Sequence, residues 1–128
     1  MKVIDLFAGC GGASSGFTRA GCTIVAAFDS DPVQLAHHAL NNPDTRHVCT
    51  ILGTTDPVAF GHQLRELAGG PFHLHASPPC QSYSRLNPGS VPDNDLVNWT
   101  AQVIEAAAPR TWSLEASATV NPLRVASE

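Results

Sequence analysis

The segment from Lys2 to Phe7 (KVIDLF), running into Ala8-Gly9-Cys10-Gly11-Gly12, constrains the fold more than any other part of the chain. A short apolar run that stops at clustered glycines and gives way to SSGFTRAG, with helical character, reads as strand, tight turn and helix. A second apolar run, Cys22 to Phe28 (CTIVAAF), ends at Asp29 and Asp31. Pro32 then opens a helix to Asn41, at a position where its missing N–H is no loss. A βαβ unit is thus complete near the N-terminus, and the spacing predicts that the pattern continues.

Thr45 to Leu52 reads as a third strand and Pro57 to Ala68 as a helix, broken by Gly69-Gly70-Pro71 before a fourth strand in PFHLHAS. Gln81 to Asn94, rich in Ser, Pro, Asn and Gly, reads as a long loop of the kind that carries function. Leu96 to Ala108 is expected to be helical, with Pro109 behind it, and Thr111 to Leu114 to begin a fifth strand. Strands alternating with helices at this spacing imply an α/β fold with a mainly parallel sheet covered on both faces. In such sheets ligands bind at the carboxyl ends of the strands. The chain has 128 residues, 43% hydrophobic and 14% charged, which suits one packed domain rather than disorder.

Two constellations carry chemistry. In the first, glycines stand where a backbone must approach a ligand closely, and Asp29, seventeen residues beyond Gly12, can accept hydrogen bonds from ribose hydroxyls. Taken alone, this points to a nucleoside-containing cofactor or to a glycine turn required only for packing. The Gly-x-Gly-Gly spacing and the absence of a basic residue in the loop favour adenosylmethionine over a dinucleotide, whose pyrophosphate would need a different turn. The second constellation is Ser77-Pro78-Pro79-Cys80-Gln81-Ser82-Tyr83-Ser84. Two prolines after a strand hold the chain extended, so Cys80 is presented at a set position beyond the strand end. A lone cysteine is ordinarily a small buried hydrophobe. Pro-Pro-Cys-Gln in a polar loop argues instead for a reactive thiolate.

DLFAGCGGASSGF followed by SPPCQSYS resembles the cofactor-binding motif and the catalytic Pro-Cys motif of the DNA (cytosine-5)-methyltransferases, in matching order and separation. The resemblance implies a Rossmann-like domain that uses S-adenosyl-L-methionine. Phe7 would stack near the adenine, Gly9 and Gly12 would line the methionine end beside Ala8, Asp29 would hold the ribose, and Pro79 and Leu96 would complete the cofactor site. Cys80 would add to C6 of a flipped-out cytosine, with Gln81, Tyr83 and Ser84 closing over the extruded base. Glu115, at the matching distance after Pro109, takes the place of the family's catalytic acid at cytosine N3. Its neighbours Ala116 and Ser117 depart from the family's Glu-Asn-Val, and a surface glutamate is the alternative. Asn94 fits the polar residue before the cofactor-lining leucine. The family's acid after the third strand has no counterpart near Val48-Cys49-Thr50, with Asp56 the nearest candidate. For Ser82 and Ser90 an ordinary solvated loop is the expectation.

The resemblance makes residues 1–117 a partial catalytic domain and 118–128 a divergent tail, with the target-recognition domain and the returning C-terminal helix absent. A separately encoded C-terminal half or self-association is the expected remedy. A degenerate cofactor- or DNA-binding remnant, and methylation of tRNA rather than DNA, are the alternatives. Seven Lys and Arg against eleven Asp and Glu give a net charge of -4, without the broad basic footprint of a nucleic-acid binder. DNA contacts are therefore expected to be local or supplied elsewhere. Cys10, Cys22, Cys49 and Cys80 show no zinc spacing, and a reducing cytoplasm is the expected setting. No apolar run approaches the roughly 20 residues that span a bilayer. The pairs His37-His38 and His73/His75 lack a third partner for a metal and are read as structural or exposed.

Overall fold

The computed structural model describes residues 1–79, 94–115 and 125–127. Six strands form one sheet: β1 (Lys2–Leu6), β2 (Thr23–Asp29), β3 (Arg46–Cys49), β4 (Phe72–Ala76), β5 (Thr111–Glu115) and β6 (Val125–Ser127). Four helices intervene: α1 (Gly12–Arg19), α2 (Pro32–Asn41), α3 (Pro57–Ala68) and α4 (Asn94–Ala107). The strand order is β3-β2-β1-β4-β5-β6, and every pairing is parallel except β5 with β6. β1 lies between β2, to which the chain passes through α1, and β4, which it reaches only after β3 and α3. That reversal of direction opens a crevice at the carboxyl ends of β1 and β4, where doubly wound sheets bind ligands.

The helix boundaries follow from local chemistry. Asp31 caps α2, its carboxylate accepting from the N–H groups of Val33 and Gln34 at 2.9 and 3.3 Å. Asp56 does the same for α3, accepting from Ala59 N–H at 3.0 Å, and in both helices a proline follows the cap. α1 begins two residues earlier than its serines suggest, because Gly11 (φ 105°) turns the chain directly into the helix.

The two faces of the sheet differ. Ile4, Leu6, Ala26, Phe28, Phe72, Leu74 and Ala76 point to one face and pack with Leu64, Trp99, Val103 and Ala107 of α3 and α4 as the apolar core. Gly61 lets these helices approach closely, since a Cβ there would stand 2.6 Å from the Cβ of Ala106. The opposite face, beneath α1 and α2, carries a polar row: Asp5, His75 and Ser113 are neighbours in register across β1, β4 and β5. β6 was not anticipated from the sequence and closes that edge of the sheet in antiparallel fashion.

Candidate cofactor and active site

Beyond β1 the chain turns sharply. Phe7 adopts φ 59°, a conformation costly for an aromatic residue, and the Ala8 N–H donates to the Phe28 carbonyl at 2.9 Å. Gly9, at φ 58°, donates its N–H to Asp29 Oδ2 at 2.8 Å, while Asp29 Oδ1 accepts from the Asp31 N–H at 2.9 Å. One carboxylate thus ties the glycine loop to the turn that starts α2. An ideal Cβ on Gly9 would lie 2.8 Å from Gln34 Oε1, so any side chain there would fill the gap between loop and helix.

That gap opens into a cavity of about 460 Å³ at the carboxyl ends of β1, β2 and β4. It brings together Phe7, Gly9, Asp29, Pro79 and Leu96, five of the residues singled out in the sequence for the cofactor. Ala8 is buried behind the loop, and Gly12 starts α1 outside the lining, with no atom within 4 Å of where its Cβ would stand. Glu115 is exposed on the neighbouring strand end, one residue past the pair Ala76 and Leu114, and also lies outside the cavity. Cys80, Gln81, Tyr83 and Ser84 lie outside the described residues, as does the side chain of Asn94.

Sequence reasoning missed Ser30, Gln34, Ile51, Leu52 and Ser77, which with Asp31 complete the wall. Ser77 fastens the end of β4 to β1, its N–H donating to the Leu6 carbonyl at 3.2 Å and its hydroxyl to the Phe7 carbonyl at 3.3 Å. Leu96 reaches the cavity because Trp99 Nε1 donates to the Thr55 carbonyl at 2.7 Å, which draws α4 over the loop after β3. Asp56, the candidate acid for that wall, is instead the N-cap of α3.

Charge is segregated along the strands. Asp29 and Asp31 line the cavity, and among the described residues no Lys or Arg does. The described cations, Lys2, Arg19, Arg46, Arg65 and Arg110, all sit at strand beginnings or in last helical turns, at the other end of the sheet. A larger cleft, about 760 Å³, lies at that other end beside Arg65, Phe72 and Arg110. It is remote from the strand carboxyl ends and the glycine loop, so the smaller cavity is the candidate site.

Buried ionisable groups populate the polar face below the loop. Burial pushes the Asp5 carboxyl up to about 6, opposed by the Ser14 hydroxyl and assisted by the charge of Asp29. Its Oδ1 and His75 Nε2 are buried without hydrogen-bond partners among the described residues. Burial also holds His38, His73 and His75 below the usual imidazole range, reinforced by His47 at His38 and countered by Glu115 at His75. The imidazoles of β4 bond to hydroxyls of β5: His73 to Thr111 (2.7 Å) and Ser113 (2.9 Å), and His75 to Ser113 (2.6 Å).

A doubly wound sheet with a glycine loop after its first strand, an acid after its second and an acid-lined crevice between them defines a Rossmann-like domain of the methyltransferase class. Residues 1–115 match the family of C-5 cytosine-specific DNA methylases, and the chain belongs to that family. It is 36% identical over 119 residues to the type II methyltransferase M.XorII of Xanthomonas oryzae pv. oryzae, covering 88% of this chain and 27% of that one. It is 34% identical over 84 residues to the type II methyltransferase M.DdeI of Desulfomicrobium norvegicum, covering 66% of this chain and 19% of the relative. Among solved structures, one described as a DNA modification methyltransferase encoded within a prophage of E. coli superposes with a TM-score of 0.69. That match has 26% identity and covers 89% of this chain and 31% of the other. The chain therefore spans less than a third of the length of these relatives. Among the described residues no helix is long and apolar enough to cross a membrane.

Proposed function

We propose that this chain is the cofactor-binding and nucleophile-bearing part of an enzyme that transfers a methyl group from S-adenosyl-L-methionine to C5 of cytosine in DNA. The observation that carries the reading is the meeting of Phe7, Gly9, Asp29, Pro79 and Leu96 around one cavity, with Cys80 next in sequence after Pro79. Adenosylmethionine fits the residues present. Gly9 leaves the space that a Cβ would close, and Leu52, Ile51 and Leu96 offer apolar surface for a base. Asp29 has spent two acceptor positions on backbone N–H groups, leaving the remainder of its roughly four for ribose hydroxyls. Among the described residues the wall carries Asp29 and Asp31 and no cation, which suits a sulfonium and an ammonium group better than a pyrophosphate.

When bound, the cofactor supplies a methyl group made electrophilic by its sulfonium. The chain's own groups prepare the base. The Cys80 thiolate forms a bond to C6, and the electrons of the C5–C6 double bond make C5 the nucleophile. Glu115, through its carboxyl group at N3, offsets the negative charge that develops on the ring. After methylation C5 loses its proton, the double bond re-forms and the thiolate leaves. Because C6 of a stacked cytosine is out of reach, the base must be turned out of the duplex, with Gln81, Tyr83 and Ser84 holding it. Among the described residues the strand ends offer no Lys or Arg to meet phosphate, so the DNA backbone is held by residues outside that set.

Covalent trapping tests this reading. Incubation with adenosylmethionine and DNA carrying 5-fluorocytosine, whose fluorine cannot leave as a proton does, should yield a denaturation-resistant adduct that Cys80→Ser abolishes. An adduct that persists in Cys80→Ser, or adenosylmethionine binding indifferent to Asp29, would contradict it. If the chain alone forms none, the assay is repeated with the C-terminal portion of a relative added in trans, and failure there too counts against the proposal.

A further inference from the structure

A buried chain of hydrogen bonds runs beneath the cavity and uses residues that the proposed chemistry does not. Ser14 Oγ, on α1, donates to Asp5 Oδ2 on β1 at 2.7 Å. His38 Nε2, on α2, stands 2.9 Å from the same Ser14 Oγ, and His38 Nδ1 stands 2.7 Å from His47 Nε2 on β3. With the serine proton committed to the carboxylate, Ser14 Oγ accepts from His38 Nε2–H, and the neutral His38 ring then accepts at Nδ1 from His47 Nε2–H. With Asp5 ionised, every proton in the series has one placement. Asp5, Ser14 and His38 are fully buried, so each broken link would strand a polar group without water.

The relay meets two of the elements that carry the cavity walls, the glycine loop and α2. The His38 ring abuts the glycine loop, since a Cβ on Gly11 would stand 3.0 Å from His38 Cδ2. His38 lies one helical turn beyond Gln34, the residue of α2 that faces Gly9 across the cavity. We propose that His38, protonated on Nε2, is a positioning residue for cofactor binding: it fixes α2 against α1 and thereby sets the gap between Gln34 and the glycine loop. This inference rests on reading the cavity as the adenosylmethionine site. It deepens that reading by assigning the spacing of the two walls to one imidazole that does not line the cavity.

The test combines a spectroscopic and a binding measurement on the full chain. Long-range proton–nitrogen NMR correlations should show His38 as a neutral ring carrying its proton on Nε2; a ring protonated on Nδ1 would overturn the proposal. His38→Phe keeps the ring against Gly11 and removes both bonds, and it should weaken adenosylmethionine binding by about tenfold, the scale of one buried hydrogen bond. His38→Gln, whose amide nitrogen can reach Ser14, should recover binding to within about threefold of the native chain. Both variants are to be compared at equal fraction folded by circular dichroism, and the Gln variant decides the matter if the Phe variant does not fold. Native-like binding by folded His38→Phe, or failure of His38→Gln to recover it, overturns the positioning role while leaving the cofactor site intact. Loss of binding by the native chain itself would remove the cofactor reading and this one with it.

Discussion

Replacing Asp5 by asparagine should stabilise the protein at neutral pH. Asp5 is fully buried, and burial pushes its carboxyl up to about 6 in the fold from its ordinary 3.8. The folded state therefore holds a proton that the unfolded chain releases, and stability falls as pH rises from the lower value through the higher. A gap of roughly two units corresponds to about 3 kcal/mol of destabilisation once ionisation is complete. That is a large share of the roughly 5–15 kcal/mol typical of a domain. Asparagine removes the charge and keeps an oxygen for Ser14, while its amide faces the side of Oδ1, where Asp5 now has no partner. Urea denaturation of both proteins between pH 4 and 8 gives the difference directly, and titrations common to the two largely cancel. The variant should match the native protein near pH 4 and exceed its stability by about 2–3 kcal/mol at pH 8. A variant less stable than the native protein at pH 8 would refute the reasoning, because it would mean that the ionised carboxylate is compensated.

Gly12→Ala should leave the fold intact or slightly stabilised, since the added Cβ meets no atom of the described residues and alanine favours a helix. If position 12 faces the methionine end of the cofactor, adenosylmethionine affinity should still fall, and calorimetric titration reads both quantities. Gly11→Ala should cost about 1–2 kcal/mol in thermal unfolding, because φ 105° is strained for an L-residue and the new Cβ presses on His38. The His73 ring, whose protonation burial opposes, should titrate below 6.5 by NMR; stability tied to it is complete above that value and lost as pH falls. A His73 midpoint at or above 6.5 would contradict its buried, hydroxyl-bonded placement.

Much of the architecture was legible because punctuation and periodicity agreed. Asp31-Pro32 and Asp56-Pro57 mark the starts of α2 and α3 to the residue, each pair joining a capping carboxylate to a proline suited to the first turn. Phe7, Gly9, Asp29, Pro79 and Leu96 could be picked out as candidate cofactor residues because motifs carry them, and these five line one cavity. Gln34, Ile51, Leu52 and Ser77 could not, since their lining role depends on how turns and helices are brought together in space. The histidines were visible only as sequence pairs. The partners that matter, Ser14 for His38 and Ser113 for both His73 and His75, come from other strands and helices, and no local pattern links them. β6 has too few residues for alternation to mark it as a strand.

The measurement that bears most directly on the account is a titration of the isotope-labelled chain with S-adenosyl-L-methionine, followed residue by residue in proton–nitrogen spectra and repeated with Asp29→Asn. The account expects saturable shifts centred on Phe7, Gly9, Asp29, Gln34 and Leu52. Loss of the charged ribose acceptor should weaken binding by about tenfold or more, as for hydrogen bonds to charged groups. Shifts centred instead on Arg65 and Arg110 at the far end of the sheet, or binding indifferent to Asp29→Asn, would contradict it.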